Sequence, residues 1–105
     1  MLGGLFLLLR PDSPVARPEK VSFDLEILGN GMEPREVSVR EGDRVTISFT
    51  ADRQAEIHVH GYDLEVEVES GAVTKLSFEA DSTGRFPIED HATGAGLGFL
   101  VVEPR

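Results

Sequence analysis

The sequence contains no cysteine among its 105 residues. Disulfide bonds, thiolate-bound zinc and iron–sulfur clusters are therefore excluded, because each of them requires cysteine sulfur. Without cysteines, the sequence does not indicate whether the protein works in an oxidising or a reducing compartment, since only a disulfide pattern would indicate an oxidising compartment.

Positive charge is also scarce. The chain has 10 lysine and arginine residues against 19 aspartate and glutamate residues, and its formal net charge is −9 at pH 7. Nucleic acids and anionic membrane surfaces attract proteins through clustered lysine and arginine, and the basic residues of this chain are scattered. We therefore expect no nucleic-acid partner.

Long apolar runs are missing as well. The run LGGLFLLL, residues 2–9, falls well short of the roughly 20 residues that a membrane-spanning helix needs. It is followed by the proline-rich stretch RPDSPVARPEK, residues 10–20. We interpret residues 1–20 as the remnant of a signal or anchor segment with a linker, which predicts an extracytoplasmic location, periplasmic or membrane-anchored. An extra strand or short helix packed on the domain is the alternative.

From residue 21 onward, apolar and polar residues alternate, and no helical period is present. In DLEVEVE, residues 63–69, leucine and valine alternate with Glu65, Glu67 and Glu69, which we interpret as the solvated face of a strand. Similar segments recur between turn sequences at residues 29–31, 41–43, 70–71 and 81–84. The sequence predicts an all-β protein, an antiparallel Greek-key β-sandwich of about seven or eight strands.

The chain has three histidines, and their spacing suggests a common site. His58 and His60 lie two residues apart in AEIHVHGYD, residues 55–63, so a strand would turn both to one face. His91 follows in GRFPIEDHATGAGLG, residues 84–98. If this later hairpin returns to the same pole of the sandwich, the three imidazoles meet there.

Three segments, taken in order, resemble the cupredoxin family, and most closely its plastocyanin-like and cytochrome c oxidase subunit II-like branches. They are GMEPREVSVREGDRVTISF (31–49), AEIHVHGYD (55–63) and FEADSTGRFPIEDHATGAGLGFLVV (78–102). The resemblance covers residues 21–103 and implies a cupredoxin-like domain over residues 21–105.

The resemblance also shows what this chain lacks. In the blue-copper site of the family that this chain resembles, the metal is held by two histidines, one cysteine and a weakly bound axial methionine. His91 and one of His58 or His60 match the histidines, but the stretch Phe86–Asp90 stands where the cysteine belongs, and Leu97 is nearest to the methionine position. Without a thiolate the chain is not expected to be a blue-copper electron carrier.

The histidines could still hold a metal. Neutral imidazoles bind Cu(II) and Zn(II), and Glu89 or Asp90 could complete a four-coordinate shell. We predict a metal site at His58, His60 and His91, with copper favoured over zinc, in a non-enzymatic domain for metal storage, delivery or sensing. The alternative is a metal-free structural module that binds a protein partner. Catalysis is not expected, because the chain has no nucleophile–base constellation and no phosphate-binding loop.

Overall fold

The structure is a computed structural model that describes residues 17–105. Within this range the chain forms nine strands. They are β1 (Lys20–Leu28), β2 (Gly31–Glu33), β3 (Glu36–Arg40), β4 (Arg44–Ala51), β5 (Ala55–Val59), β6 (Leu64–Val68), β7 (Thr74–Glu79), β8 (Gly84–Asp90) and β9 (Ala95–Glu103). No helix in the described range is long and apolar enough to cross a membrane. Most of the predicted signal or anchor segment, residues 1–20, lies outside the described residues.

The strands build two sheets, with the orders β2-β1-β4-β7 and β3-β9-β8-β5-β6. Alternation turns one face of each sheet toward the other, and the apolar side chains on these faces are buried between them. The most deeply buried of them include Leu25, Ile27, Val45, Ile47, Phe49, Ile57, Val59, Ile88, Leu97 and Leu100. The predicted all-β sandwich is thus confirmed.

Two strand pairs depart from the predicted antiparallel arrangement. β1 runs parallel to β4, and β3 runs parallel to β9, whereas the other pairs are antiparallel. The described range also has one strand more than the upper prediction, and the shortest is the three-residue β2. Alternation within a strand is the same for a parallel and an antiparallel partner, so the pattern could not distinguish them.

A buried carboxylate joins the first and last described segments of the chain. Asp43 is 4% exposed, and its two oxygens accept hydrogen bonds from the backbone N–H groups of Glu19 and Arg40, both at 3.0 Å. The Arg105 guanidinium also donates to Asp43 and, at 2.6 Å, to the carbonyl of Arg17. Burial raises the pKa of Asp43, but these hydrogen bonds and the charge of Arg105 outweigh burial, so its pKa lies below the ordinary value.

Asp43→Asn should therefore destabilise the fold at neutral pH by about 2 kcal/mol, the loss expected for charged hydrogen bonds. A lowered folded-state pKa stabilises the fold above the unfolded-state value, near pH 4, and this contribution disappears as the pH falls through the folded-state pKa. Urea unfolding from pH 7 to pH 2 should show the wild type losing its advantage over the variant below about pH 4. Asp24→Asn, at an exposed position, is the control. If the difference in stability between the wild type and Asp43→Asn stays constant down to pH 2, the Asp43 carboxylate does not have a lowered pKa.

The turn after β5 is built around a glycine. Gly61 has φ of 84°, and a Cβ atom on it would lie 2.3 Å from Cδ1 of Phe86. The Tyr62 ring packs edge-on against Phe86 with centroids 4.8 Å apart. Its hydroxyl donates to the carbonyl of Ser82 at 2.6 Å and accepts from the Ser82 N–H at 2.9 Å. The chain directly after His60 is therefore fixed onto β8 and the segment before it.

Gly61→Ala should destabilise the domain more than Gly71→Ala. Both glycines have positive φ, but nothing lies within 4 Å of a Cβ placed on Gly71. Gly71→Ala carries only the backbone strain, about 1 kcal/mol, whereas Gly61→Ala adds a clash with Phe86 worth about 1–3 kcal/mol more. Thermal or urea unfolding of the two variants measures the difference, and equal losses would show that Phe86 yields freely.

Candidate metal centre

Strand β5 sets the centre of the candidate site. Its alternation buries Ile57 and Val59 in the core and turns His58 to the opposite, outer face of the five-stranded sheet. Because β5 lies between β6 and β8, His58 is directly opposite Glu65 on one side and Glu89 on the other. Directly opposed residues share a face, so His58 has a carboxylate on each flank.

The other two histidines lie on either side of His58. His60 follows the end of β5, and its backbone N–H donates to the carbonyl of Pro87 at 2.9 Å. His91 begins the turn between β8 and β9, and its N–H donates to the carbonyl of Glu56 at 2.7 Å. The ring centroid of His58 lies 4.5 Å from that of His60 and 5.0 Å from that of His91. The structure thus brings the three predicted histidines together, while their role as ligands remains a prediction.

The tightest set of ligand atoms in the described residues is not the three histidines. His58, His91 and Glu89 each offer one atom, and these three atoms lie within 4.8 Å of one another. His60 adjoins the set, because its Nε2 lies 2.9 Å from Oε1 of Glu89. On the other side, Oε2 of Glu65 lies 3.5 Å from Nδ1 of His91. Imidazole and carboxylate together are a ligand set that divalent transition metals use in proteins.

One ring nitrogen of the cluster lacks a hydrogen-bond partner within the described range. Nδ1 of His58 is shielded from solvent and has no partner there. Nε2 of His60, by contrast, faces Oε1 of Glu89 at 2.9 Å. A shielded polar atom without a partner is unfavourable, and coordination of a cation would satisfy Nδ1 of His58. The donor set consequently fits a metal.

The Glu89 carboxyl is held in its charged form. A hydrogen bond with His60 lowers the pKa of Glu89 most, partial desolvation opposes this, and the charges of the three histidines lower it further. The net result is a pKa below the ordinary glutamate value. A carboxylate must be deprotonated to coordinate a metal, and the Glu89 carboxyl meets that condition at neutral pH.

Asp90, the other carboxylate considered from the sequence, is not available as a ligand. Its side chain points inward with 0% exposure. One oxygen accepts from the backbone N–H groups of Glu56 and Ala92, both at 3.0 Å, and the other accepts from Arg53. Burial raises the pKa of Asp90, but these hydrogen bonds and the arginine charge outweigh burial and keep its pKa below the ordinary value. Asp90 therefore anchors the end of β8, one residue before His91.

The structure also places two further residues of the sequence analysis. Leu97, placed nearest to the family's methionine, is fully buried in the core at a register irregularity opposite Ile88 and Glu89. It faces away from the outer-face cluster. Glu65, interpreted as part of a solvated face, is 63% exposed but contacts His91. Only the register of β5 against β6 could have revealed that contact.

The sequence matches a family model described as cupredoxin-like domain over residues 1–102. The chain therefore belongs to the cupredoxin-like domain family, as its resemblance predicted. No curated protein matches the sequence significantly.

Solved structures with a similar fold include a copper binding protein in its apo form, with a TM-score of 0.68, 15% identity, and coverage of 84% of this chain and 92% of that chain. A chain of a heme-copper terminal oxidase dimer has a TM-score of 0.66 at 19% identity, covering 76% of this chain and 63% of that one. A blue copper oxidase from Nitrosomonas europaea has a TM-score of 0.63 at 24% identity, covering 83% and 39%. The present chain spans less than two thirds of each oxidase chain, and identities this low establish the fold alone.

The position of Glu89 can be tested without any metal. In a carboxyl-detected NMR titration, the wild-type pKa of Glu89 should lie below the ordinary glutamate value. His60→Ala should raise that pKa more than His91→Ala, because His60 makes the closest contact. Equal effects of the two substitutions would show that the contact with His60 does not persist in solution.

Proposed function

We propose that this chain is a non-enzymatic, extracytoplasmic cupredoxin-like domain that binds a divalent metal, copper before zinc. His58, His91 and Glu89 form the primary ligand set, and His60 lies beside them. One observation carries the proposal: three ligand atoms converge within 4.8 Å on a sheet face where the shielded Nδ1 of His58 lacks a hydrogen-bond partner.

Copper is favoured over zinc by the chemistry of the donors. Sites built from nitrogen and oxygen bind Cu(II) more tightly than any other divalent first-row ion. The solved structures of similar fold are named as copper proteins, which supports the same choice. The extracytoplasmic location rests on our interpretation of residues 1–20.

Electron transfer of the blue-copper type does not suit this donor set. That centre depends on a short copper–thiolate bond, and the sequence contains no cysteine. The candidate cluster lies instead on the outer sheet face, where the side chain of His91 is 54% exposed. Bound copper would supply Lewis acidity and a positive charge there, and the protein supplies two imidazoles and one anionic carboxylate. An open face of this kind suits storage, delivery or sensing better than catalysis, which needs a water-excluding cleft.

The alternative, a metal-free module that binds a protein partner, is favoured by a different observation. Glu89 contacts His60 at 2.9 Å, and Glu65 contacts His91 at 3.5 Å. When these histidines are protonated, ion pairs alone could hold the cluster together. In the metal-binding function a metal cation neutralises the negative charge of the carboxylates, whereas in the metal-free module protonated histidines do so.

Titration of the full chain with Cu(II) in the presence of a competing chelator separates these functions. We expect one tightly bound Cu(II) per chain, at least two nitrogen ligands by electron paramagnetic resonance, and a rise in melting temperature. His58→Ala and His91→Ala should each weaken binding by about 100-fold or more, and binding should weaken below about pH 6, where free imidazole becomes protonated.

The matched control pair is Glu89→Gln and Glu67→Gln. Both remove one negative charge from the outer sheet face, but Glu67 is not part of the tightest ligand set. Only Glu89→Gln should weaken Cu(II) binding by about tenfold or more. Absence of Cu(II) binding at neutral pH, with an unchanged melting temperature, would refute the proposal and leave the metal-free module.

A further inference from the structure

We infer that the outer-face cluster selects copper by oxidation state, holding Cu(II) and discriminating against Cu(I). This inference rests on the proposed function and specifies which form of the metal the site takes. Three features of the described residues carry it: the donor atoms, the arrangement of the rings and the surrounding charge.

Among the described residues, the donors of the cluster are nitrogen and oxygen, and none is sulfur. Cu(I) is favoured by thiolate and thioether ligands, whereas imidazole and carboxylate suit Cu(II). The sequence has no cysteine and two methionines. Of these, Met32 lies on β2 in the other sheet and is 3% exposed, packed against the backbone at Gly98. Met32 therefore lies in the core, on the opposite side of the sheet from the histidines.

The ring arrangement suits Cu(II). With nitrogen and oxygen ligands, Cu(II) takes adjacent donors in a tetragonal arrangement. The rings of His58 and His91 are stacked, with an interplanar angle of 23° and centroids 5.0 Å apart. Their ligand atoms lie within 4.8 Å of each other. Strand β5 fixes the backbone of His58 and the hydrogen-bonded turn after β8 fixes that of His91, so both rings lie on the same face of the sheet.

The charge around the cluster favours the ion of higher charge. Glu89 is part of the tightest ligand set, and Glu65 contacts His91 from the other side. The Coulomb attraction of a fixed carboxylate for a doubly charged ion is twice that for a singly charged one. The net charge of −9 adds a long-range contribution of the same sign.

One consequence concerns release of the metal. Transfer of one electron from a small-molecule reductant, such as an ene-diol that is oxidised to its radical, would reduce bound Cu(II) to Cu(I), the form that the site holds weakly. The electron resides on copper, and no covalent bond of the protein forms or breaks. The acceptor implied for the released ion is a protein or chelator with sulfur ligands, which Cu(I) prefers.

The test compares two dissociation constants of the full chain. Cu(II) is titrated against nitrilotriacetate, and Cu(I) is titrated anaerobically with ascorbate against bicinchoninate. We expect the Kd for Cu(I) to exceed that for Cu(II) by about 100-fold. At about 59 mV per tenfold change, this ratio places the reduction potential of the bound Cu(II)/Cu(I) couple about 120 mV below that of the free couple. Tight Cu(II) binding with equal or tighter Cu(I) binding would overturn this inference and leave the proposed function standing, whereas failure to bind Cu(II) would overturn both.

A second test introduces a thioether into the cluster, which should shift the preference from Cu(II) toward Cu(I). Glu89→Met places sulfur in the ligand set and removes its charge, so the preference for Cu(II) should shrink by about tenfold or more. Glu26→Met, an exposed position on β1 in the other sheet, is the matched control and should leave the preference unchanged. If both variants keep the wild-type ratio, the donor set does not determine the selection and the inference fails.

Discussion

The candidate site depends on one constraint, the register of β5 between β6 and β8. Burial of Ile57 and Val59 in the core fixes which face of β5 points outward, and pairing then places Glu65 and Glu89 beside His58. A slip by one residue would turn the imidazole into the core and the isoleucine into solvent, which the hydrophobic effect opposes strongly. The histidine cluster is therefore maintained by the same free energy that holds the two sheets together.

Two buried aspartates, at two places in the fold, have their negative charges compensated in the same way. Asp43 and Asp90 each accept two backbone N–H groups and one arginine, so that burial of a charge is compensated within a few ångströms. Asp43 follows the end of β3, which pairs with the end of β9, whereas Asp90 lies where β9 begins. The two anchors therefore hold opposite ends of the sandwich. The second of them fixes the chain between Glu89, which points outward, and His91.

The alternation in the sequence predicted the strands, the core and the proximity of the three histidines, because each follows from the period of two and from the order of the segments. It could not identify the parallel partners of β1 and β3, since strand direction leaves no mark on a single strand. Both Glu89 and Asp90 stayed candidate ligands at the level of sequence, because the pattern does not show that β8 continues as far as Asp90. The coordinates show that Glu89 points outward to the histidines, and that Asp90 points inward and is occupied by Arg53 and two backbone amides. Contacts across strands, such as Glu65 with His91, depend on register, which local patterns do not encode.

The position of the cluster on hydrogen-bonded strands and a tight turn has a kinetic consequence. The turn from His91 to Gly94 is closed by a hydrogen bond from the Gly94 N–H to the carbonyl of Asp90 at 2.7 Å, so little backbone entropy remains to be lost when a ligand arrives. If the ligand is the proposed metal ion, it would meet these donors on a surface that needs no opening of the fold. Its capture rate would then be set by how fast the ion sheds its hydration water, rather than by protein motion.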